Sequence, residues 1–308
     1  MKKVFYPLIV FLFGTYFLFA QQEPHFTHFM YNQQAVNPAF VGSRNTPSFH
    51  AIYRNQWVDF EGAPTNIALG FSTPFAAGSS GFGIYAANQA IGASNNWFTN
   101  LAYSYRMKIS DDLALRVGIQ AAGLFSSINF AHQGHTNFDP EPELNGAFSN
   151  LNFNAGGGLY LHSKKFYVGF SVPYFLSNDI TSTNTGSVSI PHLYGMAGLL
   201  LPAGPKVMVR PALLVKYANT AIEKTPLDFD LNLSLIFSNR LSVGASYRHE
   251  DSIDFLLFLQ AGRKFGFGVG YDYTTSALSN YNSGTFEVMM RFDLKSERED
   301  IENPRFFL

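Results

Sequence analysis

Hydrophobic and polar positions alternate along most of the chain with a period of two residues, which is typical of β-strands with one apolar face. The clearest case is Asp228–Phe237, where Phe or Leu occupies every second position and Asp, Asn or Ser occupies most positions between them. Residues 113–121 and 286–293 repeat this pattern. Gly, Asn, Ser, Asp or Pro interrupts the alternation about every ten residues. The pattern therefore predicts an all-β protein.

About 14 segments of the chain fit a strand of this kind, which is an even number. The predicted strands begin near Ser48, Asn66, Gly81, Asn96, Leu113, Leu151, Lys165, Pro191, Lys206, Leu227, Leu241, Ser252, Phe265 and Thr285. The short connections are 107–112, 163–164, 202–205, 238–240 and 263–264. They alternate with a second set of connections, which includes the long loops 127–150 and 173–190. Short periplasmic turns and longer extracellular loops are typical of a transmembrane antiparallel outer-membrane β-barrel. We predict this fold.

The composition favours a barrel over a water-soluble β-protein. Of the 308 residues 16% are aromatic and only 14% are charged, whereas soluble domains carry about 25% charge. A secreted β-sandwich or jelly roll is the alternative, but its outward faces would need more charge than this chain has. A closed sheet whose apolar face contacts lipid pairs every backbone group. Aromatic residues expected near strand ends or on the outer face are Trp57, Tyr85, Trp97, Tyr103, Tyr105, Tyr247, Tyr271 and Tyr273.

Thirteen charged residues fall on the polar face of the predicted strands, which would line the lumen. They are Arg54, Arg106, Arg116, Lys206, Arg210, Lys216, Arg248, Arg291, Asp228, Asp230, Asp254, Asp272 and Glu287. Because both signs are present, we expect ion pairs that partly close the lumen. The alternative is that these charges hydrate a passive pore.

The ends of the chain differ from the barrel region. Residues 1–20 have the charged start, apolar middle and small-residue end of a signal peptide; an N-terminal membrane anchor is the alternative. The next apolar run, 193–201, ends at Pro202 and is far shorter than the ~20 residues of a spanning helix. We therefore expect a periplasmic or lumenal segment at 21–47, the barrel at 48–294 and a periplasmic tail at 295–308.

The sequence offers little catalytic or cofactor chemistry. A net charge of −1 gives no electrostatic basis for nucleic-acid binding, and the chain has no cysteine. No catalytic set is visible, so we expect no enzyme activity, no cofactor and no catalytic residues. Two histidines and three acids between residues 132 and 143 have side chains that can bind a metal. Their spacing in a loop fixes no ligand geometry, so a polar extracellular loop is the favoured interpretation and we predict no metal site. These residues are His132, His135, Asp139, Glu141 and Glu143.

Several motifs closely resemble those of the PorP/SprF family. The run QQEPHFTHFMYN at 21–32 is followed by VNPAFVGS at 36–43 and by YRNQWVDFEGAPT at 53–65. The resemblance continues with GYDYT at 270–274, GTFEV at 284–288 and NPRFF at 303–307. Phe286 departs from the family, whose members often have His there. Each motif alone is weak, but their order covers nearly the whole chain after residue 20.

This resemblance implies an outer-membrane barrel of the type IX secretion system and its gliding machinery in Bacteroidota. Such a protein would assist export and surface retention of cargo that bears a C-terminal secretion domain, such as gliding adhesins. Its implied partners are the periplasmic ring and lipoprotein components, the cargo domain and the lipid bilayer. The alternative is a passive channel or transporter for small or hydrophobic solutes, with the N-terminal segment as a hatch.

Three regions are predicted to bind partners. The first is the extended step before the first strand, the second is the first outer hairpin, and the third is the apolar end of the tail. The residues are Asn37, Pro38, Arg54, Gln56, Trp57, Glu61, Gly62, Pro64, Asn303, Pro304, Arg305, Phe306 and Phe307.

Overall fold

The computed structural model describes residues 24–44, 46–129, 147–179, 188–189, 191–218 and 227–294. Within these ranges, fourteen antiparallel strands form one closed sheet, so the predicted fold is confirmed. The strands are β1 Ser48–Asn55, β2 Thr65–Phe75, β3 Ser80–Ile91, β4 Ser94–Lys108, β5 Ala114–Asn129, β6 Ala147–His162, β7 Phe166–Val172, β8 His192–Leu199 with its continuation Leu201–Gly204, β9 Val207–Ala218, β10 Asp228–Phe237, β11 Leu241–Arg248, β12 Ser252–Ala261, β13 Phe265–Thr274 and β14 Thr285–Asp293.

The sheet closes between its first and last strands. Antiparallel pairing of β1 with β14 runs from Ser48 opposite Asp293 to Asn55 opposite Phe286. The two parts of β8 keep one register against β9, because Gly198 pairs with Ala212 and Leu201 with Val209. We therefore count them as one strand. A separate two-stranded ladder joins residues 178–179 to 188–189.

The predicted strand starts agree closely with the structure. The largest difference is at β6, which begins at Ala147 rather than near Leu151. This strand pairs with β5 along its full length, but with β7 only from Gly157 to His162. The alternation of apolar and polar residues thus located the strands better than it located their ends.

The two ends of the barrel have different connections. One end, which we call the inner rim, has the short turns 76–79, 109–113, 163–165, 205–206, 238–240 and 262–264, and both ends of the sheet lie there. Longer connections such as 56–64 and 275–284 lie at the opposite, outer end, although 92–93 and 249–251 are tight turns. Outer-membrane barrels place short turns in the periplasm, so the inner rim faces the periplasm.

The outward face of the strands is apolar and rich in aromatic residues. Trp97, Tyr103, Tyr105, Tyr247 and Tyr273 are exposed there, as predicted. The prediction for Tyr85 was wrong, because its side chain points inward and is only 4% exposed. Apolar residues occupy both faces of β3, so the strand's inward and outward positions were ambiguous in the sequence. In the parts of the chain that the structure describes, no helix is long and apolar enough to span a membrane.

The hydrophobic core lies inside the barrel. Residues 24–44, which we call the lumenal plug, form three single-turn 3-10 helices: Phe29–Tyr31, Gln33–Ala35 and Pro38–Phe40. The plug's Phe26, Phe29, Met30, Tyr31 and Phe40 are buried. They pack in one cluster with wall residues that include Tyr160, Tyr167, Met196, Phe258 and Met289.

Two further 3-10 helices lie outside the lumen. Ala76–Gly78 lies in an inner turn and Ala277–Asn280 in an outer loop.

Candidate functional site

The lumenal plug is ordered by its own sequence at Asn37 and Pro38. Proline disfavours the helical region for the residue before it, and Asn37 has an extended backbone (φ −135°). Its Oδ1 accepts a hydrogen bond from the Ala39 N–H at 2.9 Å, which caps the 3-10 helix that Pro38 begins. Its Nδ2 donates to the Leu159 carbonyl of β6 at 3.0 Å. Asn37 therefore fixes the turn and attaches it to the barrel wall.

Glycines on the lumenal face make room for the plug. A Cβ at Gly81 would overlap the backbone of Val41 and Gly42, and one at Gly118 would overlap the backbone of Ala39. A Cβ at Gly158 would overlap the Asn37 side chain. The small residues of the inward face are thus the contact surface for the plug, where backbone packs against backbone.

A buried glutamate holds the beginning of the plug. Glu287 on β14 accepts hydrogen bonds from the backbone N–H groups of Thr27 and His28 at 2.7 and 2.8 Å. Nδ1 of His28 also lies 2.8 Å from the same carboxylate. Arg54 on β1 pairs with Glu287 at 3.4 Å and with Asp272 on β13 at 2.7 Å. Arg54 Nη1 donates a hydrogen bond to the Thr27 hydroxyl, which in turn donates to the Asp272 carboxylate.

A second arginine extends this cluster across the neighbouring strands. Arg248 on β11 lies 2.9 Å from Asp230, 3.4 Å from Asp254 and 3.4 Å from Asp272. His25 of the plug pairs with Asp230. Two arginines and four carboxylates therefore form one buried network, which we call the anchor network: Arg54, Arg248, Asp230, Asp254, Asp272 and Glu287. Such charges are tolerated in a protein interior because each is paired.

Aromatic contacts hold the middle of the plug. The Tyr31 ring stacks on Phe258 with ring centroids 4.2 Å apart. The Arg210 guanidinium carbon lies 4.6 Å from the Tyr31 ring centroid, within the range of a cation–π interaction. Arg210 also donates to the Tyr31 hydroxyl at 3.0 Å. Tyr31 thus joins the plug to β9 and β12.

The plug leaves the lumen at the inner rim through a second set of polar contacts. Arg116 on β5 donates to the Gly42 carbonyl at 2.6 Å and to the Gly78 carbonyl of the adjacent inner turn at 3.1 Å. Ser104 donates to the Val41 carbonyl at 2.6 Å. Arg44 pairs with Asp293 at the end of β14 at 3.3 Å. The plug is therefore fixed at both ends of its path.

The first outer hairpin is a structured loop. Gln56 N–H donates to the Pro64 carbonyl at 2.9 Å, and the Gln56 Oε1 accepts from Asn66 Nδ2 at 3.0 Å. Trp57 has a positive φ of 46°, and its ring packs edge-on against Phe60 at 6.4 Å. Glu61 and Gly62 are exposed. The loop therefore presents aromatic and acidic groups on a defined backbone.

This hairpin is tied to the last outer loop. The Val58 N–H donates to the Gly284 carbonyl at 2.9 Å, and the Ser283 N–H donates to the Val58 carbonyl at 2.8 Å. Asp59 accepts a hydrogen bond from the Ser283 hydroxyl at 2.5 Å. The Gly92 N–H donates to the Gly62 carbonyl at 3.0 Å. Three outer connections thus form one platform above β1, β3 and β14.

The structure separates the residues that were predicted as partner sites. Asn37, Pro38 and Arg54 are buried in the lumen, Pro64 is buried under the hairpin, and Gln56, Trp57, Glu61 and Gly62 belong to the outer platform. The predicted tail residues Asn303–Phe307 and the histidine-containing loop 132–143 lie outside the described residues. Among the described residues, no group of three or more His, Asp or Glu side chains has the geometry to hold a metal ion.

The predicted lumenal charges need one correction. Lys206 lies in the inner turn 205–206 and is exposed, because β9 begins one residue later than the alternation suggested. Arg106 and Asp228 are half-buried near strand ends. The other predicted lumenal charges are buried. The sequence analysis gave little weight to the plug residues His25 and His28 and did not single out Tyr31. The pattern that could have indicated them is the run of aromatic and histidine residues before the first strand.

These features define a class: an outer-membrane β-barrel whose lumen is filled by its own N-terminal segment. The family model described as type IX secretion system membrane protein PorP/SprF matches residues 18–292. The chain therefore belongs to the PorP/SprF family, as its motifs suggested, and it resides in the outer membrane. No curated protein matches the chain significantly.

Several solved barrel structures are similar in outline. A FadL homologue from Pseudomonas aeruginosa is 11% identical, with a TM-score of 0.42 over 89% of this chain and 95% of that chain. The CymD monoaromatic hydrocarbon channel is 10% identical, with a TM-score of 0.47 over 86% and 91%. The NanC porin is 10% identical, with a TM-score of 0.39 over 81% and 100%. Sequence identities and TM-scores this low do not indicate a function for this chain.

Proposed function

We propose that this protein is an accessory barrel of the type IX secretion system that assists export and surface retention of cargo bearing a C-terminal secretion domain, such as gliding adhesins. In this role it conducts no solute through its lumen and catalyses no reaction. Family membership supports the link to secretion. The observation that carries the rest is the lumenal plug, which is bound to the wall along its whole path.

The contacts of the plug argue against the alternative of a passive channel with a hatch. Releasing residues 25–28 would separate Glu287 and Asp272 from Thr27 and His28. Each hydrogen bond to a buried charged group contributes about 1.5–3 kcal/mol, so losing several of them together is costly. A cavity between the plug and the wall, lined by Tyr85, Phe98, Tyr174 and plug residues, measures about 20 Å³. That volume holds roughly one water molecule.

The proposed partner surfaces lie at the two ends of the barrel. The outer platform, with Trp57 and Glu61 on a fixed backbone, is suited to contact cargo at the cell surface. Arg54, Asn37 and Pro38 contribute indirectly, since they hold the plug and the base of the hairpin. The periplasmic ring and lipoprotein components bind at the inner rim, and residues 303–307 of the tail serve as a docking peptide for them. In this proposal residues 1–20 are a signal peptide that is removed, 21–47 are the segment that contains the lumenal plug, 48–294 are the barrel, and 295–308 are a periplasmic tail.

An engineered disulfide tests whether the plug moves during function. A Cβ at Gly270 would lie 3.5 Å from the Thr27 Cβ, within the usual range for a disulfide, and the natural chain has no cysteine to compete. We expect cells with oxidised T27C/G270C to secrete cargo as well as cells with the reduced variant, because the plug stays in place.

The controls for the disulfide are the two single-cysteine variants and a strain without the gene. The gene deletion should retain cargo inside the cell and leave uptake of small solutes unchanged. If deletion instead impairs solute uptake with normal secretion, the proposed function is wrong. Loss of function on oxidation, restored by a reductant, would support a moving hatch.

A further inference from the structure

In the parts of the chain that the structure describes, the connections at the two ends of the barrel carry opposite charge. The described outer connections 56–64, 92–93, 249–251 and 275–284 contain Asp59, Glu61, Glu250 and Asp251 and no Lys or Arg. The turns of the inner rim are instead rich in Lys and Arg. This separation is independent of the anchor network, which lies inside the lumen.

The exposed cations of the inner-rim turns lie in four neighbouring turns. Four successive turns, 163–165, 205–206, 238–240 and 262–264, contain exposed cations and no acidic residue; we call them the basic arc. Its cations are Lys164, Lys165, Lys206, Arg240, Arg263 and Lys264. Because these turns join β6 to β7, β8 to β9, β10 to β11 and β12 to β13, they are neighbours around the sheet.

The two remaining inner turns, 76–79 and 109–113, contain no Lys or Arg. Turn 76–79 contains no charged residue. In turn 109–113, Asp111 lies 2.6 Å from Lys108, and Asp112 lies 3.4 Å from Lys164 at the edge of the basic arc. The positive charge thus ends where the acidic pair of this turn begins.

The cations of the basic arc are close enough to act together. Strands are spaced about 4.8 Å apart, so successive turns on one rim are roughly 10 Å apart. The Debye length at physiological ionic strength is about 8 Å. At this spacing the charges of neighbouring turns are largely screened from one another, but a partner surface that covers several turns contacts all of their cations at once. Such a patch attracts a surface of opposite charge and orients it.

We infer that the basic arc is the docking surface for a periplasmic protein that presents an acidic face. Phospholipid headgroups surround the whole inner rim, whereas the cations of its turns are concentrated between β6 and β13. A single partner that binds these turns accounts for the asymmetry. This inference rests on the proposed function, because docking there would couple the barrel to the rest of the secretion machinery.

Charge reversal tests the basic arc in cells. The variant K165E/K206E/R240E/K264E places like charges against an acidic partner, so secretion of cargo should fall by about tenfold or more. Single variants give a matched comparison. Lys206→Glu in the arc should lower secretion, whereas Lys108→Glu, on the same rim outside the arc, should secrete normally. Heat-modifiable gel mobility checks that each barrel is folded.

A photo-crosslinker identifies what binds. With p-benzoylphenylalanine in place of Pro205, we expect an adduct with an acidic protein that is lost in the charge-reversed variant. The same group in place of Ser110 should not give that adduct. Lys substitutions in the acidic face of the captured protein should restore the adduct to the charge-reversed barrel.

Three results would overturn the docking inference: adducts with phospholipid alone, adducts with residues 295–308 of the same chain, or normal secretion by the charge-reversed variant. If that variant secretes normally while the gene deletion does not, the docking inference fails and the proposed function stands. If the gene deletion itself secretes normally, the proposed function fails.

Discussion

At the scale of single residues, the plug depends on a few buried side chains that each serve several groups. Glu287 binds two backbone N–H groups of the plug and also faces Arg54. Arg116 binds two backbone carbonyls at the other end of the plug path. Such residues are costly to replace, because one substitution leaves several buried partners unsatisfied.

We predict that Glu287→Gln lowers the free energy of unfolding by about 3 kcal/mol, because it removes a buried charge from the anchor network. Denaturant unfolding of the purified barrel measures this effect. Glu250→Gln is the matched control, since Glu250 is exposed in the turn 249–251, and it should change stability by less than about 0.5 kcal/mol. Equal stabilities of the two variants would contradict the role given to Glu287.

At the scale of elements, the fit between plug and strands depends on backbone approach. The 3-10 helix Pro38–Phe40 lies against the wall strands β4, β5 and β6. Glycine at 118 permits this approach, because no side chain separates the strand from the Ala39 backbone. The plug and the strands therefore form one packed unit.

Gly118→Ala should destabilise the barrel by about 1–3 kcal/mol, since the added methyl group forces the plug or the strand to shift. Gly195→Ala on β8 is the control, because its Cβ would meet the Phe170 ring at an ordinary distance of 3.8 Å. Thermal unfolding of both variants, followed by gel mobility, gives the comparison. A stable Gly118→Ala barrel would mean that the plug has more freedom than its contacts indicate.

At the scale of the whole molecule, the number of strands leaves a lumen that something must fill. Barrels of about eight strands are filled by their own wall side chains, and those of 16 to 18 strands hold an aqueous channel. With fourteen strands, this barrel lies between these cases. Its wall supplies charged partners, space at glycines and part of the apolar core, and the plug supplies the rest of that core.

Deletion of residues 24–44 should therefore convert the barrel into a pore. In planar lipid bilayers we expect stepwise ion conductance from the deletion variant and none from the full chain. If the deletion variant fails to fold, D272N/E287Q keeps the plug in the chain and loosens its attachment, and it should show intermittent conductance. Silent bilayers with both folded variants would show that the plug is not what closes the lumen.

The sequence by itself determined the fold class, the strands and most of the inward and outward positions. Alternation with a period of two is a local property, so it can be read from neighbouring residues wherever one face meets lipid and the other does not. It failed where that contrast is weak: at Tyr85, in a strand with apolar residues on both faces, and at Lys206, where a turn was taken as a strand.

Only the tertiary structure decided what the inward charges and glycines do. Thr27 meets Glu287 across 260 positions of sequence, and Asn37 meets Leu159 across 122. No local sequence pattern predicts such pairings, since they depend on how the sheet closes and on which strands then face one another. The sequence therefore predicted a wall with a polar inner face, and the closed barrel determined that this face holds residues 24–44.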